Sequence, residues 1–391
     1  MQSMKIAILG SGVMGSQIAL EFAQHNFIVY LFDQSIEESN QLAIDGVDKT
    51  IDNISAKELT NGQSTKEIYT KAKNNIKFCT YKDNLNQLEN CDLIIEAIVE
   101  DIKIKQELYL KIKSYIKPTA FLATNTSGLS IEDLSKFAHD KTRFCGIHFF
   151  NPPRSLKLIE YIPVENMHHD ITKILELLKS LKFNVIKVKD TPNFIVNKIG
   201  FFAWNLAVHS ADKYNISINI VDELTNAIIG RSKSATYRTA DIVGLDIVKH
   251  VLKTFQNLEI DNFKDWYAIP KKLEYLISRK ALGQKTKMGF YKKHGDKILI
   301  WDENIDNITP QYIESNQKAD SEVLSILNSS MSVEDKLIVL NSISNSEALF
   351  VVDNIKILKE YINFYKNKIA YQDEDIKQAM HDGFAWSNVY F

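Results

Sequence analysis

The sequence predicts two parts in series, an α/β domain built on a parallel sheet and then a helical region. Three observations carry this prediction. Apolar, β-rich runs alternate with helical periodicity over the first 190 residues, the pattern of βαβ units. A glycine-punctuated turn, Gly10-Ser11-Gly12-Val13-Met14-Gly15, stands between the first strand and the first helix. After Asp190-Thr191-Pro192 the periodicity turns helical, with almost no strand signal apart from Lys297 to Trp301.

In chain order the expected strands are Ile6 to Leu9, Val29 to Phe32, Leu93 to Ala97, Phe121 to Thr124, Phe144 to Phe149 and Val185 to Val188. Met14 to His25, Lys103 to Tyr115 and Ile171 to Leu181 read as helices between them, and Asp45 to Ala72 as one long polar helical stretch. In the helical region Asp222 reaches Gly230 after eight positions and Asp375 reaches Gly383 after the same eight. On spacing alone a degenerate repeat and chance stand level. The expected boundaries are residues 1–190, 191–295 and 310–391, the last an incomplete second helical domain.

Composition narrows the function classes. The 391 residues carry 47 Lys+Arg against 49 Asp+Glu, a net charge of −2, so the basic face that a nucleic-acid binder needs to neutralise phosphates is not expected. Fourteen Gly, seven Pro and three Cys exclude collagen, disorder and disulfide scaffolds. Cys79, Cys91 and Cys145 are odd in number, widely spaced and form no CxxC pair, so neither a zinc site nor a disulfide framework is expected; no metal site is expected elsewhere. Met4 to Leu9 reads as a strand with Lys5 inside it rather than a signal peptide, and Gly200 to Val208 is too short to span a bilayer. The expected location is the cytoplasm.

Strand, GxGxxG and helix in that order make a dinucleotide site of the Rossmann type. Gly10 permits the tight turn, Gly12 lets a pyrophosphate approach the backbone, and Gly15 lets the helix pack on the strand. The backbone amides opening the helix at Val13 and Met14 then face the phosphates. Asp33 closes the second strand, placed to accept from the adenosine ribose hydroxyls; Gln34 and Ser35 follow with no Arg for a 2′-phosphate, which favours NAD over NADP.

His148 is the histidine at the C-terminal end of an expected strand, where open parallel sheets place reacting ligands. Its ordinary pKa of about 6.5 suits it to take a hydroxyl proton. Glu160 lies in the apolar run Leu156 to Ile162, where a carboxylate needs a partner, and a turn over Asn151 to Ser155 brings it to His148. On the residues alone, His148 reads as a core histidine as readily as a base. Ser127 reads as a turn residue, Asn197 as a polar helix position and Lys105 as part of a solvated helix face.

Asp92-Leu93-Ile94-Ile95-Glu96-Ala97-Ile98-Val99-Glu100, Thr124-Asn125-Thr126-Ser127-Gly128, His148-Phe149-Phe150-Asn151-Pro152-Pro153 with Glu160, Asp190 to Asn197, and Gly283-Gln284-Lys285 with Gly289-Phe290-Tyr291 together resemble the L-3-hydroxyacyl-CoA dehydrogenase family, in order from residue 4 to about 295. The resemblance implies a Rossmann-type NAD-binding domain followed by all-α helical domains like those of 6-phosphogluconate dehydrogenase. It implies a His148–Glu160 dyad, with Ser127 and Asn197 on the 3-oxygen of the substrate. It also implies cofactor contacts from Glu100, Lys105, Asn125 and Asn151. The polar stretch 45–72 would lie over the coenzyme A end; for Lys49, Lys71 and Lys73 there a solvated face is the favoured reading.

A finer distinction comes from Gly230 to Asp241, which lacks the Gly-Pro-Phe run of short two-domain dehydrogenases. It is similar to the dehydrogenase half of bacterial bifunctional proteins that also carry an enoyl-CoA hydratase, in which a second helical domain ends in a run comparable to Gly383-Phe384-Ala385-Trp386. Ser387-Asn388-Val389-Tyr390 departs from the continuation expected there, and no hydratase activity is expected. The implied reaction is NAD-dependent oxidation of L-3-hydroxyacyl-CoA to 3-oxoacyl-CoA in fatty acid β-oxidation. The implied state is a monomer with tandem helical domains or a homodimer, partnered by a separate enoyl-CoA hydratase or thiolase. Competing readings are a dehydrogenase of a free hydroxy or sugar acid and a catalytically idle NAD-binding remnant.

Overall fold

A computed structural model describes residues 4–35, 39–55, 57–230, 235–256, 262–303 and 305–389. It comprises two compact units: Met1–Phe194 with Ile369–Tyr371, and Ile195–Lys368 with Gln372–Phe391.

The first unit is built on eight strands: β1 Ile6–Leu9, β2 Val29–Asp33, β3 Ile76–Thr80, β4 Leu93–Glu96, β5 Phe121–Thr124, β6 Phe144–Phe149, β7 Leu158–Pro163 and β8 Asn184–Lys187. Their order across the sheet is β8-β7-β6-β5-β4-β1-β2-β3. Every pairing is parallel except β6 with β7. The central strands read as unbroken apolar runs because both faces are covered: Ile6, Ala7, Ile8 and Leu9 of β1 are all fully buried. Each such Ile or Leu contributes about 1.5–3 kcal/mol relative to exposure.

Helices α1 Val13–Ala23, α2 Gln41–Asp52, α3 Thr65–Ala72, α4 Ile102–Ile112, α5 Ile131–Ser135 and α6 Ile171–Ser180 lie along the same unit. α4 starts where Asp101 caps the Lys103 and Ile104 amides. The boundary residue Asp190 accepts from the Ile131 and Glu132 amides at the head of α5. The expected single helix over 45–72 is corrected: α2 and α3 are separate, divided by a hairpin of Leu59–Thr60 and Gln63–Ser64. Asn61 and Gly62 turn it with φ of 52° and 78°, the left-handed pair that a tight hairpin takes. β3 was not expected; it is an edge strand whose Lys77 is exposed, so its run is not uniformly apolar.

The second unit contains α7 Val196–Tyr214, α8 Ile218–Ile229, α9 Thr236–Val243, α10 Leu245–Gln256, α11 Lys271–Ser278, α12 Ser321–Leu327, α13 Val333–Ser342, α14 Ser346–Ile369 and α15 Asp373–Phe384. It is not wholly helical. β9 Tyr291–His294, β10 Lys297–Trp301 and β11 Tyr312–Ile313 form a small antiparallel sheet. The two glycines of the spacing match differ in role: Gly230 takes the left-handed cap after α8, whereas Gly383 lies inside α15 and Ala385 takes the cap. Among the described residues no helix is long and apolar enough to cross a membrane. Arg231 to Ser234 and Tyr390, which entered the sequence comparison, lie outside the described residues.

Candidate active site

The parallel strands β1, β4 and β5 end side by side, with Leu9 opposite Glu96 and Glu96 opposite Thr124. The loops that follow therefore share one edge of the sheet, and Gly10, Gly12, Glu100, Asn125 and Ser127 lie on them.

The glycine loop follows β1. Gly10 holds φ of 101°, and a Cβ on Gly15 would fall 1.9 Å from the Gly10 carbonyl oxygen, so neither tolerates a side chain. Gly12 differs. Its φ is −62° and a Cβ there would meet nothing within 4 Å, so neither strain nor packing within the chain calls for glycine. That open space, at the head of α1 where the first amides of a helix have no intrahelical partner, fits a pyrophosphate. Val13, 65% exposed, and Met14 open the helix beside it. Asp33 ends β2, with one carboxylate oxygen accepting from the Ser11 amide at 2.7 Å and from the Ser11 hydroxyl, and the other from the Gln34 amide at 2.7 Å. An anchored carboxylate at this place suits ribose hydroxyls and opposes a 2′-phosphate.

His148 and Glu160 face one another across the antiparallel β6–β7 ladder. His148 Nδ1 lies 2.8 Å from Glu160 Oε2, and both side chains are buried. A carboxylate accepts but does not donate, so Nδ1 carries the hydrogen and Nε2 of the neutral ring keeps the lone pair. The rings of Phe150 and Phe194, centred 4.5 and 5.8 Å away, close around the imidazole.

Next to this pair the Phe149 amide donates to Asn125 Oδ1 at 2.8 Å, tying the loop after β5 to the end of β6. Asn151 Oδ1 accepts from Gln17 Nε2 at 3.0 Å, which leaves the amide of Asn151 its donor side. Glu100 accepts from the Thr126 hydroxyl at 2.6 Å and the Ser127 amide at 2.8 Å. Asn197 is the second residue of α7, in the second unit. Lys105 corrects the solvated-face reading: it is 1% exposed, 2.6 Å from Glu96 and 3.4 Å from Glu100. Lys49 and Lys71 are exposed, and Lys73 pairs with Asp48.

Residues that sequence reasoning passed over are Ser11, Gln17 and Glu96. Glu96 carried the same signal as Glu160, a carboxylate inside an apolar strand. The three cysteines are buried and free; burial pushes the Cys79 thiol up to about 11 and Cys91 up to about 12, so neither is a ready nucleophile. Among the described residues His168, His169 and Asp170 bring ligand atoms within 4.8 Å of one another, but Lys173 and Arg143 already hold the Asp170 carboxylate and oppose a cation there.

Family models match both parts of the chain: the 3-hydroxyacyl-CoA dehydrogenase NAD binding domain over residues 5–191 and the C-terminal domain of the same family over 194–293. The chain belongs to the 3-hydroxyacyl-CoA dehydrogenase family. Its cofactor is NAD, the ligand of the matched domain. A probable 3-hydroxyacyl-CoA dehydrogenase of Deinococcus radiodurans is 32% identical over 76% of this chain and 85% of its own. One from Bacillus subtilis is 32% identical over 98% of this chain but 49% of its own, so the chain spans about half the length of that relative. The crystal structure of a 3-hydroxybutyryl-CoA dehydrogenase from Escherichia coli, at 19% identity, shares the fold over 99% of this chain and 90% of that one, with a TM-score of 0.72. The shared fold thus extends beyond residue 293.

Proposed function

We propose that the chain oxidises the 3-hydroxyl of an L-3-hydroxyacyl-CoA to the 3-oxoacyl-CoA, as a cytoplasmic step of fatty acid β-oxidation. The observation that carries the reading is the buried His148–Glu160 pair at the C-terminal end of a strand, with Asn151 just beyond it held by Gln17 of α1, the helix that the dinucleotide loop opens. Bound NAD supplies the acceptor for the hydride leaving C3. His148 Nε2 takes the hydroxyl proton, and Glu160 holds the ring in the tautomer that can do so and stabilises the imidazolium. Ser127, fixed by Glu100 through its amide, is assigned to the 3-oxygen on which charge changes. Asn197 keeps in this proposal the role that the resemblance gives it.

NADH formation with 3-hydroxybutyryl-CoA and with a long-chain 3-hydroxyacyl-CoA tests the reaction. Turnover of either thioester supports the reading, and the better substrate reports the acyl length; turnover of the free hydroxy acid alone overturns it.

The division of the helical part into tandem halves is likewise proposed. Its support is the packing of Phe384 over Gly200 of α7 and the Ser387 and Asn388 amides, which both donate to the Ile229 carbonyl that ends α8. These contacts would replace those between two copies, so light scattering should return a single chain mass; twice that mass refutes it.

A further inference from the structure

Glu96 ends β4 with its side chain wholly buried, a costly place for a carboxylate unless partners compensate. Four donors do so. Oε1 accepts from the Ile98 amide at 2.7 Å and the Lys105 ammonium at 2.6 Å. Oε2 accepts from the Tyr109 hydroxyl at 2.6 Å and the Thr124 hydroxyl at 2.8 Å. Lys105 and Tyr109 are four apart on α4 and so share a face. Thr124 stands opposite Glu96 on β5.

Lys105 consequently lies between two carboxylates of unequal depth. Glu96 is sealed, while the Glu100 side chain is 26% exposed and stands 3.4 Å away through Oε2. The other oxygen of Glu100 holds Thr126 and Ser127. A buried ammonium requires a counter-charge at hydrogen-bond distance. With Glu96 supplying it, Glu100 stays with the loop. Without Glu96, the ammonium would draw Glu100 in from 3.4 Å and off the Ser127 amide.

We propose that Glu96 is a positioning residue: by neutralising Lys105 it leaves Glu100 to hold the Thr126–Ser127 loop. Only the consequence for turnover rests on the proposed function; the consequence for the loop does not.

Hydrogen exchange at the Ser127 amide, followed on peptides covering 124–130, reads the loop directly. In Glu96→Gln this amide should exchange about tenfold faster, the loss of one charge-assisted hydrogen bond, with turnover falling about tenfold and NAD affinity by calorimetry within about threefold. Glu96→Gln combined with Lys105→Met removes the cation with its counter-charge, and Ser127 protection should return to that of the wild type. Tyr109→Phe takes a donor from Glu96 but no charge, and should leave the exchange unchanged. Unaltered exchange in Glu96→Gln, or equal acceleration in the double variant or in Tyr109→Phe, would overturn the proposal. If Glu96→Gln does not fold, the double variant decides, because accelerated Ser127 exchange in it has the same meaning. A wild type inert on thioesters with the expected exchange pattern would sink the functional reading and uphold the positioning one.

Discussion

Glu160 in the first unit and Asp241 in the second are both carboxylates sealed from water, but they keep different company. Glu160 faces an imidazole that can carry a proton. Asp241 faces backbone: its two oxygens accept from the Phe290 amide at 2.9 Å and the Tyr291 amide at 2.8 Å, and Gly289 packs so close that a Cβ would fall 1.9 Å from Oδ1. Asp222 beside it accepts from the Tyr237 and Arg238 amides and the Tyr291 hydroxyl. Burial pushes Asp241 up to about 7 and Asp222 up to about 6, against the pull of those amide donors. A buried acid on backbone amides fastens loops, whereas one on a titratable ring has a partner that can take up a proton, which is the role proposed for this pair. The partner, not the burial, distinguishes them.

The comparison breaks most visibly at His148. Replacing it by Gln should lower kcat by about 10²–10⁴-fold while NAD affinity by calorimetry is retained. A loss below tenfold would return His148 to the core. Glu160→Gln should cost less, about 10²-fold, because the base remains and only its orientation and charge support are removed. The double variant should be no slower than His148→Gln alone, since the two act as a unit; additive losses would separate them.

Asp241→Asn should do the opposite, leaving kcat within about twofold and lowering stability by about 1–3 kcal/mol, read as a fall in Tm, because one amide then faces an NH2. A large loss of turnover instead would erase the distinction between the two acids. The smallest effect is on pH dependence. Asp241 has a folded pKa of about 7 against an ordinary 3.8, so the folded state holds the proton more tightly. Its contribution to stability is complete below the ordinary value and is lost as pH rises through about 7. The second unit should therefore melt lower at pH 8 than at pH 6, with a shallower slope in Asp241→Asn.

The sheet and its ligand-binding edge were legible because central parallel strands are covered on both faces and so appear as continuous apolar runs. The same physics exposed Glu160, a carboxylate where none belongs. Glu96 sends the same signal but was absorbed into a motif. Lys105 looked solvated because its partner comes from the preceding strand, which helical periodicity does not encode. The break in 45–72 was available in Asn61-Gly62, whose left-handed turn is a hairpin signal, but the polar composition around it read as helix. β3 escaped because an edge strand exposes one face. Asp222 and Asp241 entered only as spacing markers and landmarks, since backbone amides as partners leave no trace in sequence.

The antiparallel turn from β6 into β7 gives the segment 150–157 an importance unrelated to the identity of its residues. Side chains alternate faces along a strand, so His148 and Glu160 meet only while the pairing keeps its phase. A one-residue deletion or insertion that this connection passed on to β7, with both side chains still encoded, would slip that phase and send the carboxylate to the opposite face of the sheet. A two-residue change would restore the face but shift the partner by one step. The arithmetic of that connection is thus a constraint on the chemistry, one that a substitution scan would never reveal and an indel scan would.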